Sequence, residues 1–366
     1  MFFFKRGTKP KDYIGLAAAF LSSFFETDDA TALTWCEQND EFVITFPFCC
    51  ATQHNDVKSA ITHLWQEAGL SPLAIRITQK IASGQTKVAP VKNVRNIIAV
   101  SSGKGGVGKS TTSVNLAYAL QQEGAKVGIL DADIYGPSIP VMLGNPEVTP
   151  SSSDNKHMQP PEAYGLVANS IGYLVPAEDA AVWRGPMASK ALAQIINETL
   201  WPTLDYLIVD MPPGTGDIQL SMAQQVPLTA AVVVTTPQDL ALIDAKKGIS
   251  MFEKVKAPVL GIIENMSYYL CPKCGDKAHI FDKDGGQHLA QEHGLPLLGQ
   301  LPLNIDIRQH ADGGKPLLVA MPNSEYADIY REVARSVSLA LSIQVPVSES
   351  GDTHIKGDPI GINNID

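Results

Sequence analysis

From Asn96 onward the chain alternates between two textures. Short runs that are apolar at nearly every position occur at Ile97–Val100, Val127–Leu130, Tyr206–Val209, Ala230–Thr235, Val259–Ile263 and Pro296–Leu298. Between them lie longer segments whose apolar residues recur at helical spacing. Unbroken apolar runs of this length predict strands buried on both faces, and the amphipathic segments predict the helices that cover them. Helices are expected at Ser110–Glu123, Ala188–Leu200, Gln219–Gln225, Leu240–Val255 and Tyr326–Leu341. The fold class is therefore α/β, with a mostly parallel sheet and helices on both faces. The Pro- and Ser-rich stretch from Asn145 to Tyr164 reads as a mobile loop.

Residues 1–93 have a different pattern and predict a small α/β lobe. Glu41–Phe46 alternates like a strand, Asp56–Ala68 has helical spacing, and Ala74–Thr78 is a second strand. The polar run Ser83–Lys87, ending in Pro90, reads as a linker. Lys5 and Arg6 precede the apolar stretch Ile14–Phe25, and Ala30-Thr-Ala32 resembles a signal-peptidase site. Glu26, Asp28 and Asp29 interrupt that pattern, which favours an amphipathic helix with Leu21, Phe24 and Phe25 turned inward. Residues 94–343 make the main unit, and the aperiodic segment 344–366 predicts a disordered tail.

The 366 residues are 45% hydrophobic and 18% charged, an ordinary globular balance. A net charge of −10 argues against a broad nucleic-acid-binding face. No apolar run approaches the ~18 residues of a membrane span. Five cysteines are too few, and odd in number, for a disulfide scaffold.

Gly103-Lys-Gly-Gly-Val-Gly-Lys-Ser110 adds the first chemistry. It fits G-x-x-x-x-G-K-[ST] and sits between a predicted strand and a predicted helix. Gly103, Gly105, Gly106 and Gly108 let consecutive N–H groups, with those of Lys104, Val107 and Thr111, turn around phosphates. The helix start adds its positive end. Lys109 is placed to reach the β- and γ-phosphates and Ser110 to ligate Mg²⁺. Carboxylates are expected at neighbouring strand ends. Asp131 and Asp133 follow one strand and Asp210 ends another, with Asp210 the candidate to hold Mg²⁺ through a water and Asp133 to orient the attacking water. Gly214 and Gly216, in Met211-Pro-Pro-Gly-Thr-Gly-Asp217, suit a segment that responds to the γ-phosphate. Lys104 is not required by the generic pattern; it is either a solvated loop residue or a group that reaches another subunit's nucleotide.

Cys271-Pro-Lys-Cys274 brings two sulfurs within reach of one metal, but a four-thiolate site needs two more. Three readings remain open for the pair: a metal or iron–sulfur cluster shared with the same pair of a second copy, a zinc knuckle completed by His279, or a thiol–disulfide couple. Cys36, Cys49 and Cys50 lack matching spacing and read as half-buried small hydrophobes.

Taken together, these motifs resemble the Mrp/ApbC iron–sulfur cluster carrier ATPases, of the deviant Walker A (SIMIBI) class. The resemblance runs from about Val94 to Leu341. It passes through Val100–Thr111, Leu130-Asp-Ala-Asp-Ile-Tyr-Gly-Pro-Ser138, Trp183-Arg-Gly-Pro-Met187, Asp205–Asp217, Val234-Thr-Thr-Pro-Gln238, Glu264-Asn-Met-Ser267 and Cys271–Gly275. It implies a cytoplasmic homodimer that binds ATP and Mg²⁺. It also implies a [4Fe–4S] cluster held between paired Cys271 and Cys274, passed from an upstream donor to apo-protein clients, with no nucleic-acid or membrane partner. By the same resemblance Lys104 crosses to the partner's nucleotide, Asp133 activates water and Asn265 contacts adenine. The alternative activities are a zinc-dependent nucleotide-binding regulator, with His279 as an extra ligand, and a positioning ATPase, for which Thr353–Asp366 lacks the basic amphipathic helix needed. The first lobe weakly resembles a degenerate form of the family's small N-terminal domain and lacks its Asp-Pro-Glu motif. Phe281-Asp-Lys-Asp-Gly-Gly286 departs from the family's Phe-Gly-x-Gly-Gly turn.

Overall fold

The computed structural model describes residues 10–27, 32–36, 41–175 and 185–348. Among these, two sheets form. The larger contains seven parallel strands in the order β12 (Leu297–Pro302), β10 (Val259–Leu270), β9 (Ala230–Thr235), β4 (Val94–Ser101), β8 (Leu204–Asp210), β5 (Val127–Asp131) and β7 (Leu166–Ser170). Short antiparallel strands, β11 (Lys277–Ala278) and β6 (Glu162–Ala163), close its edges.

Period-two alternation within each buried strand divides the core in two. Ile98 and Val100 of β4, Tyr206 and Ile208 of β8, and Val232 and Val234 of β9 pack with helices Lys109–Gln122 and Glu325–Gln344. Their neighbours Ile97, Ala99, Leu207, Val209, Ala231 and Val233 pack with Gly185–Glu198, Asp217–Gln225 and Asp239–Lys254. Both faces bury apolar side chains, so continuous apolar runs are the expected signature.

From β4 the chain crosses to β5 and β7 on one side, returns to β8, then crosses to β9 and β10 on the other. The reversal at β4 opens a crevice at the carboxyl ends of the strands, the usual ligand position in such sheets.

The small lobe packs β1 (Ala32–Cys36), β2 (Glu41–Phe46) and β3 (Ala74–Gln79) against helices Pro10–Phe24 and His54–Glu67. Leu21 is fully buried and Phe25 partly so, but Phe24 is 39% exposed, contrary to expectation. The helix ends at Phe24; the chain then turns, and the Phe25 ring enters the aromatic cluster 5.3 Å from Phe46 and 5.0 Å from Phe48. Phe24 stays on the rim.

Two segments are more ordered than expected. Within Asn145–Tyr164, Ser151 pairs with Gln159 and Met158 with Thr199, while Asp154 accepts N–H bonds from Lys156 and His157. Gln344 ends a helix, Gly84 of the linker pairs with Val347, and Ser348 N–H donates to Ser83. The order of the chain thus extends at least to Ser348. The rest of the expected tail lies outside the described residues, as do Trp183 and Arg184. No helix among the described residues is long and apolar enough to cross a membrane.

Candidate nucleotide site and cysteine knuckle

β4 ends at Ser101, the loop follows, and the helix opens at Lys109. Gly106 and Gly108 both have φ of 82°, in the left-handed region where a Cβ is costly. Gly103 is required for a different reason: a Cβ there would overlap the backbone of Asp244, in the second turn of the helix Asp239–Lys254 that follows β9. At Gly108 a Cβ would overlap the side-chain amide of Asn265.

Lys109 is 6% exposed, and its Nζ lies 2.8 Å from Asp210 Oδ1 and 3.9 Å from Asp133 Oδ2. Ser110 donates its hydroxyl to Asp210 Oδ2 at 2.6 Å. Ser113, one turn further along, donates to Asp210 Oδ1 at 2.7 Å. The loop lysine, loop serine and strand-end aspartate are thus brought together as expected. Ser113 was not anticipated, although its i+3 spacing from Ser110 places both hydroxyls on one helix face. Ser110 Oγ and Asp210 are hard oxygen donors beside a buried cation, a donor set that suits Mg²⁺.

Asp131 completes the centre. Its carboxylate accepts N–H bonds from Asp133, Ser138 and Ile139 and a hydroxyl bond from Ser170 at 3.0 Å. Burial, reinforced by the charge of Asp210, still pushes it up to about 7. Burial also raises Asp133 above the usual carboxylate range. The segment after β8 is tied to the loop, because Met211 N–H donates to Val100 and Gly214 N–H to Ser102. Gly105 and Lys104 are exposed at the loop's crest, and Thr111 is half-buried. Asn265 is 8% exposed, and its Nδ2 donates to the Val107 carbonyl at 2.8 Å.

Cys271 and Cys274 lie between β10 and β11. Gly275 N–H donates to the Cys271 carbonyl at 2.8 Å, and Cys271 N–H to Asp276 at 2.9 Å, closing a tight knuckle. Cys271 is half-buried and Cys274 exposed. N–H groups of Lys273 and Cys274, with the Cys274 thiol, hold the Cys271 thiol below its usual range. Cys49 and Cys50 are buried instead, and burial pushes the Cys49 thiol up to about 12. The side chain of Cys36 lies outside the description. Among the described residues no group of three His, Cys, Asp or Glu side chains could hold a metal ion. His279 directs Nδ1 to the Ser267 carbonyl at 3.0 Å. Among the described residues, one chain therefore brings two thiols together at the knuckle and no third metal-ligating side chain.

In the turn Phe281–Gly286, Asp284 stands at φ 62°, in the left-handed region, and Gly286 is pressed against Glu264, to whose carboxylate its N–H donates.

A phosphate loop that closes on a buried lysine, a serine and an aspartate, at the crevice of a parallel sheet, defines a P-loop nucleotide-binding protein. Comparison with known proteins narrows the class. The family model described as ParA, NUBPL iron-transfer P-loop NTPase, matches residues 93–338. The iron–sulfur cluster carrier protein of Salmonella typhimurium is 54% identical over 312 residues, covering 84% of this chain and 85% of that protein. The iron–sulfur cluster transfer protein NUBPL of Mus musculus is 49% identical over 267 residues, covering 72% and 82%. A nucleotide-binding protein of Archaeoglobus fulgidus, solved in complex with ADP, superposes with a TM-score of 0.57 at 34% identity, over 65% of this chain and 93% of that one. The chain belongs to the ParA/NUBPL family of iron-transfer P-loop NTPases.

Proposed function

We propose that this protein is an ATP-hydrolysing iron–sulfur cluster carrier, working as a cytoplasmic homodimer that receives a [4Fe–4S] cluster from an upstream donor and delivers it to apo-protein clients. In this reading residues 94–343 are the ATPase unit and residues 1–93 a small lobe seated on it. The observation that carries the proposal is the pairing, on one chain, of a complete phosphate-loop centre with half of a thiolate site. Two thiols cannot close four-thiolate ligation, so the cargo requires Cys271 and Cys274 from each of two copies.

ATP lies along Gly103–Thr111, with Lys109 on the phosphates and exposed Lys104 reaching across to the partner's nucleotide. Mg²⁺ would be held by Ser110 and, through water, by Asp210, and would supply charge neutralisation at the phosphates. Asp133, 3.9 Å from Lys109 and raised by burial, is suited to accept a proton from the attacking water. Asn265, whose Nδ2 is tied to the Val107 carbonyl, is the residue proposed to contact adenine. The ties from Met211 and Gly214 to the strand and loop give the segment ending at Asp217 a route to respond when the γ-phosphate leaves.

Anaerobic reconstitution with iron and sulfide tests the proposal, with iron, sulfide and oligomer mass measured on one sample. The expected result is four irons per dimer, lost in Cys271→Ala/Cys274→Ala. A full cluster retained in that variant overturns the reading, as does one zinc per monomer without iron.

A further inference from the structure

The hairpin that carries the cysteines is fastened to the phosphate loop through an irregular segment of β10. This strand runs from Val259 to Leu270 and delivers the chain to Cys271. Its pairing with β12 shifts register between Glu264 and Tyr268, and within that interval Met266 has φ of 54°. A non-glycine residue held there is strained, so the surroundings must impose it. Glu264 anchors the base of the bulge: its buried carboxylate accepts the Ser267 hydroxyl at 2.5 Å, the Gly286 N–H, and the Gln300 amide at 3.0 Å.

The shoulders of the bulge face two sites. On one side, Asn265 bonds the Val107 carbonyl, and Val107 lies between the two left-handed glycines that turn the loop's N–H groups toward phosphate. On the other, the Ser267 carbonyl accepts from Nδ1 of His279, which follows the return strand β11. Lys277 on β11 stacks its ammonium 3.8 Å from the centre of the Tyr268 ring, and the Tyr268 carbonyl accepts the Leu303 N–H at 2.7 Å.

We propose that His279 is a positioning residue for the thiol pair. It ties the return strand to a bulge whose other shoulder rests on the phosphate loop, so the state of the nucleotide sets the accessibility of Cys271 and Cys274. The physical basis is competition for one set of peptides. Phosphate orients the N–H groups around Val107 from one side, and Asn265 holds the Val107 carbonyl from the other. A bulge can take up the resulting shift without unzipping the ladders that flank it. The His279 bond then passes the shift into the hairpin. This inference rests on the reading of the loop as a nucleotide site and of the thiols as cargo ligands.

The test uses the full-length, cluster-free protein under anaerobic conditions. Alkylation of Cys271 and Cys274 is followed peptide by peptide by mass spectrometry, without nucleotide and with saturating Mg·ADP or Mg·AMPPNP. Nucleotide affinity is measured in parallel by calorimetry. The wild-type rates are expected to differ by about fivefold between the nucleotide-free and AMPPNP-bound states. His279→Ala abolishes that difference and leaves nucleotide affinity unchanged. His279→Asn, whose Nδ2 stands near the position of the imidazole Nδ1, restores it. A merely structural histidine would shift the rates equally in both states. The inference is overturned if nucleotide binds without changing wild-type thiol reactivity, or if His279→Ala keeps the difference. A wild-type chain that binds no nucleotide overturns the functional reading, and this inference with it.

Discussion

Asp131 and Asp210 stand opposite each other in register at the carboxyl ends of β5 and β8, and both are buried. They divide the available donors sharply. Asp210 takes the Lys109 ammonium and the Ser110 and Ser113 hydroxyls, whereas Asp131 takes three backbone N–H groups and Ser170. A cation faces Asp210, so Asp131 bears the cost of the shared burial, and its carboxyl is pushed up to about 7.

That asymmetry predicts a pH signature. The folded-state value of Asp131 lies above the ordinary carboxylate range, so the native state holds a proton that the unfolded chain releases. Its contribution to stability is largest below about pH 4 and falls by at most ~1.4 kcal/mol per unit up to about pH 7. Asp131→Asn removes the titration. Urea unfolding of nucleotide-free protein across this range should show wild type losing ground to the variant as pH rises. Parallel stability curves would refute the assignment.

Ser113 bonds Oδ1 of Asp210, the carboxylate we propose as the Mg²⁺ holder. Ser113→Ala removes one of three bonds to Asp210, leaves Oδ1 held by Lys109 alone, and keeps Ser110 on Oδ2. The Mg²⁺ concentration required for ATP hydrolysis should rise about tenfold, with little change in ADP affinity measured without metal. An unchanged Mg²⁺ requirement shows that Asp210 is oriented by Lys109 and Ser110 alone.

The strands that could be read from the chain are those buried on both faces, because unbroken apolar runs have one simple explanation in a parallel sheet. Boundaries were lost where chemistry replaces hydrophobicity. Asp131 and Asp210 are the last residues of their strands, and β10 continues past Ile263 through the polar Glu264-Asn-Met-Ser267 to Leu270. Short edge pieces such as β6 and β11 gave no periodicity to detect. At the site, Lys109, Ser110 and Asp210 follow from motif and strand end. Ser113 and the Asn265–Val107 bond depend on how one helix face and one bulge meet in space. The left-handed Met266 has no local sequence signal of the kind that glycine provides.

Gly103 offers a test of the loop's fit that does not involve phosphate contacts. A Cβ there would meet the carbonyl of Asp244, and backbone on both sides leaves no flexible side chain to yield. Gly103→Ala should displace the loop from the helix Asp239–Lys254 and weaken nucleotide binding by about 2 kcal/mol or more, on the scale of overpacking a tight contact. Gly105→Ala, at a position whose nearest neighbour is Pro213 Cγ at 4.0 Å, should bind closer to wild type. Equal affinities of the two variants, measured by calorimetry, would contradict this account.

Glu123 joins the small lobe to the far end of the phosphate-loop helix. Its fully buried carboxylate accepts from Thr52 N–H at 3.0 Å, Thr52 Oγ1 at 2.6 Å and Arg335 at 2.5 Å, and its carbonyl accepts from Ala51 N–H and the Gln79 amide. Glu123→Ala leaves Arg335 and Thr52 without that partner, which should cost about 3 kcal/mol. The consequence reaches the thiols behind the contact. Cys49 and Cys50 are protected now by burial, and the Cys49 N–H is held by Ser338 Oγ at 2.9 Å. In the variant, both cysteines should react with maleimide faster than in wild type, along with a lowered thermal midpoint. Glu123→Gln, which keeps an acceptor for Thr52, should fall between the two. A variant that melts with wild type and keeps both thiols protected would show that the lobe is held by its apolar contacts alone.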